Sequence, residues 1–385
     1  MRPLSFVIIG SGFRAMFYGR IARRYPELFT LKYILCRSEE KAAKVHGETG
    51  FPTTVSDEDC KNSKPDFVVV AVNKGNIADV AEKWALMGYP VLTETPIGCS
   101  LKQLRRIWEL KEKYHCKIQV CEQYFHCPTL RAGLHQIQNE AIGQPDSMYL
   151  SLVHEYHGAS LIRKYLLMGH ERFSVIGKQF TFPLTETDSR QGAITDGSVS
   201  SRGRIMALFE FASGKTALYD FSGEQYRSFI RSRHVTVRGQ KGELTDQVFY
   251  RLTEENFPET LYLMPELDSR YRQLETKRLR DCVRGWKPEL YLDEIEDEYA
   301  IACMLYDMRE YLDSGKEIYP LRDALQDSYM GLLLQEAVMS EGCKIHSQPM
   351  PWNLKNAFRL KIRLSVQTII RSAVWANERP VPDTW

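Results

Sequence analysis

The chain has 385 residues, 43% of them apolar, which is enough for two hydrophobic cores, since single cores stop growing at about 250–300 residues. Its 51 Lys and Arg against 49 Asp and Glu leave a formal charge of +2, which argues against a nucleic-acid or anionic-membrane partner. The nine cysteines include no C-x-x-C pair and read as buried thiols in a reducing cytoplasm rather than as a disulfide framework or zinc site; no apolar run approaches the roughly 20 residues of a membrane span, and no secretory leader precedes the first strand.

Phe6 to Ala15 reads F-V-I-I-G-S-G-F-R-A, a strand-like run that ends in Gly10, Gly12 and Ala15 before a helical pattern from Met16 to Arg24. This is the pattern of a dinucleotide-binding turn. Gly10 turns the chain off the strand, Gly12 lets the backbone approach a pyrophosphate, and Ala15 lets the helix pack on the strand. The phosphates would sit at the helix N-terminus, where free N–H groups and the helix dipole favour negative charge.

Strand and helix patterns then alternate. Leu31 to Cys36 reads as a strand, Ser38 to Val45 as a helix start, and the β-branched run Asp66 to Val72 as a strand buried on both faces. Ile77 to Met87 (with Gly88 as its C-cap) and Leu101 to Tyr114 read as helices, and Val91 to Thr93 and Lys117 to Cys121 as strands. Such βα repeats predict a doubly wound parallel sheet.

From Met148 the texture changes to two-residue alternation, clearest over Arg204 to Phe211, Lys215 to Ser222 and His234 to Arg238. Helical stretches follow over Leu274 to Val283, Glu294 to Leu312 and Ala324 to Met339. The expected architecture is α/β: a Rossmann domain over 1–125, an α+β domain with a large, mainly antiparallel sheet over 126–348, and a basic amphipathic tail over 349–385 whose length favours a helix. A sheet covered by helices on one side leaves its other face to bury, so a homo-oligomer, a dimer or tetramer, is expected.

The set Gly10-Ser11-Gly12-Phe13-Arg14-Ala15, Glu94-Thr95-Pro96, Glu122-Gln123-Tyr124, Ala141-Ile142-Gly143-Gln144-Pro145 and Gly239-Gln240-Lys241-Gly242-Glu243-Leu244 resembles the Gfo/Idh/MocA family of NAD(P)-dependent oxidoreductases. The resemblance implies hydride transfer between NAD or NADP and a secondary hydroxyl of a sugar, glycoside or inositol-like polyol. The departures are informative. Thr95 stands where the family's E-K-P motif has lysine, Ile77 where it has a histidine after the third strand, and Arg163 and Leu167 where its second-domain aspartate and histidine fall.

The resemblance therefore points to His154-Glu155-Tyr156-His157, read as a loop between a strand ending near Glu155 and a helix beginning near Ala159. His157, with His154 in reserve, is the candidate acid/base group, because its ordinary pKa lies near neutrality; Thr95 could orient the hydroxyl. On an extended strand the two histidines would face opposite sides, and no metal is expected.

Gly10, Gly12, Phe13 and Arg14 are expected at the pyrophosphate, Cys36, Arg37 and Ser38 at the adenosine ribose, and Val72, Asn73, Glu94, Thr95 and Gln123 on the nicotinamide side. Arg37 in place of an acid would accommodate a 2′-phosphate, which favours NADP, although it could equally stack on adenine and leave NAD open. Tyr124, Tyr156, Arg163 and Lys164 are the substrate-contact candidates. Loss of the E-K-P lysine also leaves open a non-catalytic dinucleotide sensor or an altered substrate, such as an imine.

Overall fold

The computed structural model describes residues 2–189, 192–285 and 294–353. The chain divides into two compact units, Met1–Ser347 and Gln348–Trp385. Among the described residues of the second, Pro351–Asn353 forms a 3-10 turn, and the tail helix expected from the sequence lies outside the described residues.

The first unit begins as the glycine pattern predicts: β1 (Leu4–Ile9), α1 (Phe13–Arg24), β2 (Phe29–Leu35), α2 (Glu39–Thr49), β3 (Thr53–Thr54), α3 (Asp57–Asn62), β4 (Phe67–Val70), α4 (Ile77–Leu86), β5 (Val91–Thr93), α5 (Leu101–Tyr114) and β6 (Ile118–Val120). These strands form a parallel sheet in the order β3-β2-β1-β4-β5-β6. All residues of β1 and β4 are buried, because crossover helices cover both faces. Helices α2 and α5 start where Ser38 and Ser100 accept hydrogen bonds from the backbone N–H groups of Lys41 and Gln103.

After α6 (Pro128–Gln138) come β7 (Pro145–Ser151), α7 (Glu155–Tyr165), β8 (Phe173–Thr185), the short pair β9 (Asp188–Ser189) and β10 (Gly192–Ala193), β11 (Val199–Phe211), β12 (Thr216–Ser222), β13 (His234–Gly239), β14 (Gly242–Thr245), β15 (Val248–Leu252) and β16 (Pro258–Tyr262). The chain continues through α8 (Lys277–Arg284), α9 (Glu294–Ser314), α10 (Leu321–Met339) and β17 (Ile345–His346). The sheet order is β16-β15-β14-β13-β7-β12-β11-β8-β17, antiparallel except where β7 meets β12. The sequence reads one helix over Leu274 to Val283; instead a 3-10 turn, Ser269–Leu274, ends at Glu275, and Thr276 caps a new helix by accepting from Leu279 N–H.

Two glycines bring helices onto the inner face of this sheet. At Gly177 a Cβ would lie 3.3 Å from Leu334 of α10, and at Gly158 a Cβ on α7 would lie 2.8 Å from the Tyr219 ring of β12. Tight packing of α7 matters because its N-terminal turn carries His154 and His157.

The turn between β1 and α1 is equally specific. Gly10 has φ +110°, and an added Cβ would sit 2.4 Å from the Ala71 carbonyl oxygen, whereas nothing lies within 4 Å of a Cβ built on Gly12. Gly10→Ala is therefore expected to destabilise the fold by on the order of 3 kcal/mol, read as a lower urea midpoint; an unchanged midpoint would show that the turn relaxes without strain.

Candidate active site

A cleft of about 550 Å³ opens beside the N-terminus of α1, lined by residues from the parallel sheet, from α7 and from the loop after β12. The C-terminal edge of a parallel sheet is where such folds bind ligands. Helix α1 has no side-chain N-cap and no acidic residue in its first turn, and the N-terminus of a helix favours negative charge. With the close turn at Gly10 and open space over Gly12, these features fit a dinucleotide pyrophosphate.

Phe13, Arg14, Val72, Glu94, Thr95 and Gln123 line this cleft. Arg14 is drawn into a knot of polar groups: Nε donates to Glu94 Oε1 at 3.1 Å and NH1 to Asp297 Oδ2 at 2.5 Å. The Tyr18 hydroxyl donates to the same Glu94 oxygen at 2.5 Å, and Gln123 Nε2 to Asp297 Oδ1 at 2.8 Å. Arg14 thus ties α1 to α9, and it faces the cleft with its charge already matched. Asn73 is exposed, its side-chain oxygen accepting from Gly75 N–H at 3.0 Å.

The three adenosine-end residues follow β2 and lie outside the cleft lining. Cys36 is buried, Ser38 is occupied as the α2 cap, and Arg37 is exposed. All nine cysteines are free thiols, and among the described residues no group of three or more His, Cys, Asp or Glu is placed to hold a metal.

The two histidines are closer than the sequence reading places them. Helix α7 starts at Glu155 rather than near Ala159, so His154 is its N-cap and His157 sits in its first turn. Both point the same way, with ring centroids 4.9 Å apart. A helical turn brings residues three apart onto one side, where a strand would separate them.

His157 Nδ1 lies 2.6 Å from Glu122 Oε2, and His157 Nε2 lies 3.3 Å from Thr95 Oγ1. His157 and Glu122 are 5% and 2% exposed, so neither charge is well solvated. Burial pushes the Glu122 carboxyl up to about 8 and the His157 imidazole down to about 3. With Nδ1–H donated to Glu122, Nε2 keeps a lone pair that accepts from the Thr95 hydroxyl.

His154 stands between two tyrosines, Nδ1 2.5 Å from the Tyr226 hydroxyl and Nε2 2.5 Å from the Tyr156 hydroxyl. Burial, followed by neighbouring His157, pushes His154 down to about 2, so it is a neutral ring that donates to one tyrosine and accepts from the other. The Tyr124 ring packs edge-on to His157 with centroids 4.6 Å apart.

Arg163 and Lys164 lie outside the cleft. Arg163 is buried, its NH1 donating to Asp327 at 2.6 Å and its NH2 to Asp323 at 2.8 Å, so it pins α7 to α10. Lys164 Nζ rests 4.1 Å from the centroid of the Phe125 ring and 4.9 Å from that of Tyr319. The direction of α7 explains both placements: its first turn meets the cleft, and these residues lie two turns further on.

Glu122, Asp297, Tyr226, Lys74 and Arg227 are site residues that the sequence reading misses. Glu122 carries a local signal, an acid at the end of a buried strand beside Gln123 and Tyr124. Asp297 carries none, because it reaches Arg14 from a helix 283 positions away.

Residues 4–122 match the oxidoreductase family with an NAD-binding Rossmann fold. Over 116 residues, 30% of this chain and 27% of the relative, the sequence is 28% identical to YteT of Bacillus subtilis (strain 168), provisionally named an oxidoreductase. The chain thus spans about a quarter of that relative's length. An NAD-binding oxidoreductase from Klebsiella pneumoniae superposes with a TM-score of 0.65 at 16% identity, covering 90% of this chain and 100% of that one. A levoglucosan dehydrogenase solved with NADH and levoglucosan gives 0.64 at 15% identity, covering 90% and 100%. At such identities the structures show a shared fold. Residues 4–122 thus match, by sequence, the NAD-binding Rossmann domain of the Gfo/Idh/MocA oxidoreductase family, and the turn at Gly10 and Gly12 agrees with that match.

Proposed function

We propose that this chain is an oxidoreductase that transfers a hydride between NAD(P) and a secondary hydroxyl or keto group of a sugar, glycoside or inositol-like polyol. The observation that carries the reading is the Thr95–His157–Glu122 hydrogen-bonded chain, whose Thr95 and His157 line the cleft together with Phe13 and Arg14 from the start of α1. The likeness to a levoglucosan dehydrogenase supports a carbohydrate-type substrate. Exposed Arg37 after β2 supports acceptance of a 2′-phosphate alongside NAD.

When bound, the dinucleotide supplies the hydride acceptor for oxidation and the donor for reduction. Thr95 and His157 receive the hydroxyl proton of the alcohol: Thr95 Oγ1 accepts it while passing its own to His157 Nε2, and the Nδ1 proton moves to Glu122. The imidazole starts and ends neutral, as burial requires, and the proton rests on a carboxyl whose pKa favours holding it. Tyr156, whose hydroxyl also faces Thr95, and Tyr226 hold His154 as a neutral wall beside the relay.

Gly12→Val tests the cofactor end. Open space over Gly12 means the variant should fold normally yet lose NADH binding, read by fluorescence titration beside a thermal melt; retained affinity would remove the turn from the cofactor site.

For the relay, His157→Ala is expected to lower kcat by roughly a hundredfold or more with cofactor affinity retained. The sign of the pH dependence follows from Glu122. A carboxyl raised to about 8 accepts a proton only above that pH, so oxidation should rise, and reduction fall, as pH passes through about 8. Lys164, Ser160, Arg14 and the Tyr124 backbone hold that value down in part. Glu122→Gln should flatten this limb; a limb that survives it assigns the titration elsewhere.

The outer face of the second sheet supports a homo-oligomer. Ile176, Leu208 and Leu218 pair across β8, β11 and β12 and remain 36%, 39% and 40% exposed, with Phe180 at 50%. A contiguous apolar row of this kind is ordinarily covered. Leu208→Glu with Phe180→Glu should convert the oligomer to a monomer by light scattering at micromolar protein; a monomeric parent chain would refute the assembly.

A further inference from the structure

Resting on the proposed oxidoreductase reading, we infer that the substrate of this cleft carries an anionic group, a carboxylate or a phosphate, that is held by Arg227 with Lys74. Three carboxylates and four Lys or Arg side chains line the cleft. Glu94 and Asp297 are matched by Arg14, Tyr18 and Gln123, and Glu294 is exposed at the start of α9. Arg233 already lies against the Tyr226 ring, its guanidinium carbon 5.9 Å from the centroid.

Lys74 and Arg227 differ from these. Each lines the cleft, and neither side chain has an ion pair, hydrogen bond or ring contact among the described residues, although the Lys74 charge is felt by Glu155 and His154. They approach from separate parts of the fold. Lys74 opens the 3-10 turn after β4, which is fixed by the Asn73 cap. Arg227 directly follows the 3-10 turn Gly223–Tyr226, which a capping box at Ser222 and Gln225 holds in place. Tyr226 in that same turn is bonded to His154, so Arg227 is one residue from a group in contact with the proton-handling face.

Guanidinium and ammonium groups only donate hydrogen bonds, and the planar fork of Arg matches two oxygens of one anion. A neutral polyol, whose hydroxyls also need acceptors, leaves exposed Lys74 and half-buried Arg227 to water. A carboxylate or phosphate satisfies both at once, and it would fix the orientation of the reacting carbon against His157 and Thr95.

The full chain loaded with NAD should be titrated calorimetrically with matched sugars: glucose, glucuronate and glucose 6-phosphate, and the corresponding galactose and mannose sets. The expected result is at least tenfold tighter binding of one anionic class than of the neutral sugar, weakening as salt rises. The uronate and phosphate arms identify which anion it is. Arg227→Gln should remove tenfold to a hundredfold of that affinity, Arg227→Lys should restore part of it, and Arg231→Gln, an exposed arginine outside the cleft lining, should have no effect. Equal binding of neutral and anionic sugars, no binding of any anion, or an anion preference that survives Arg227→Gln would overturn the inference. NAD reduction with neutral sugars alone would overturn it while leaving the oxidoreductase reading intact; anion binding that depends on Arg227, without turnover in either direction, would do the reverse.

Discussion

The site is organised around one constraint: His157 and Glu122 share a hydrogen bond in a place where water solvates neither. In such surroundings an isolated imidazolium or carboxylate is costly, and charges interact more strongly than at the surface. The pair meets this constraint by holding a proton between them, 2.6 Å apart, with one end of the imidazole turned to Thr95 and the cleft. Lys164, packed over Phe125 and Tyr319, adds a positive field that eases the negative state of Glu122 without forming an ion pair to it.

That geometry depends on how α7 is held. Gly158 lets the helix descend onto Tyr219, and Arg163 clamps its far end to Asp327 and Asp323 of α10. The buried Arg163 pairs contribute rigidity more than net stability, since taking the charges out of water offsets most of their attraction. Arg163 thus fixes the angle from which two histidines, about two turns earlier, enter the cleft.

The parallel sheet was legible because its signals are local. Gly10 and Gly12 mark a turn, Phe67 to Val70 mark a strand covered on both faces, and Ser38 and Ser100 mark helix starts. In the second domain β11, β12 and β13 were readable from alternation, but the onset of α7 was not. His-Glu-Tyr-His carries no Ser, Thr, Asp or Asn cap, and its helical state comes from packing on the sheet rather than from propensity. That one shift in boundary moved His154 and His157 from opposite faces to the same face. Asp297 and Arg227 were illegible for another reason: only the fold brings them to the cleft from positions far along the chain.

The replacement of the E-K-P lysine by Thr95 has a physical logic in this setting. A lysine at that position would place a permanent charge beside Arg14 and the buried His157, raising the cost of any proton that reached the ring. A hydroxyl adds no charge, reaches His157 at 3.3 Å, and in the proposed relay would pass the proton onward instead of keeping it. Positive charge is displaced from the reacting centre to the cleft wall, where Lys74 and Arg227 meet water or an anion. On the proposed reading, proton transfer and charge recognition, which a lysine beside the reacting hydroxyl would combine, are divided between different residues, so each can be altered without disturbing the other.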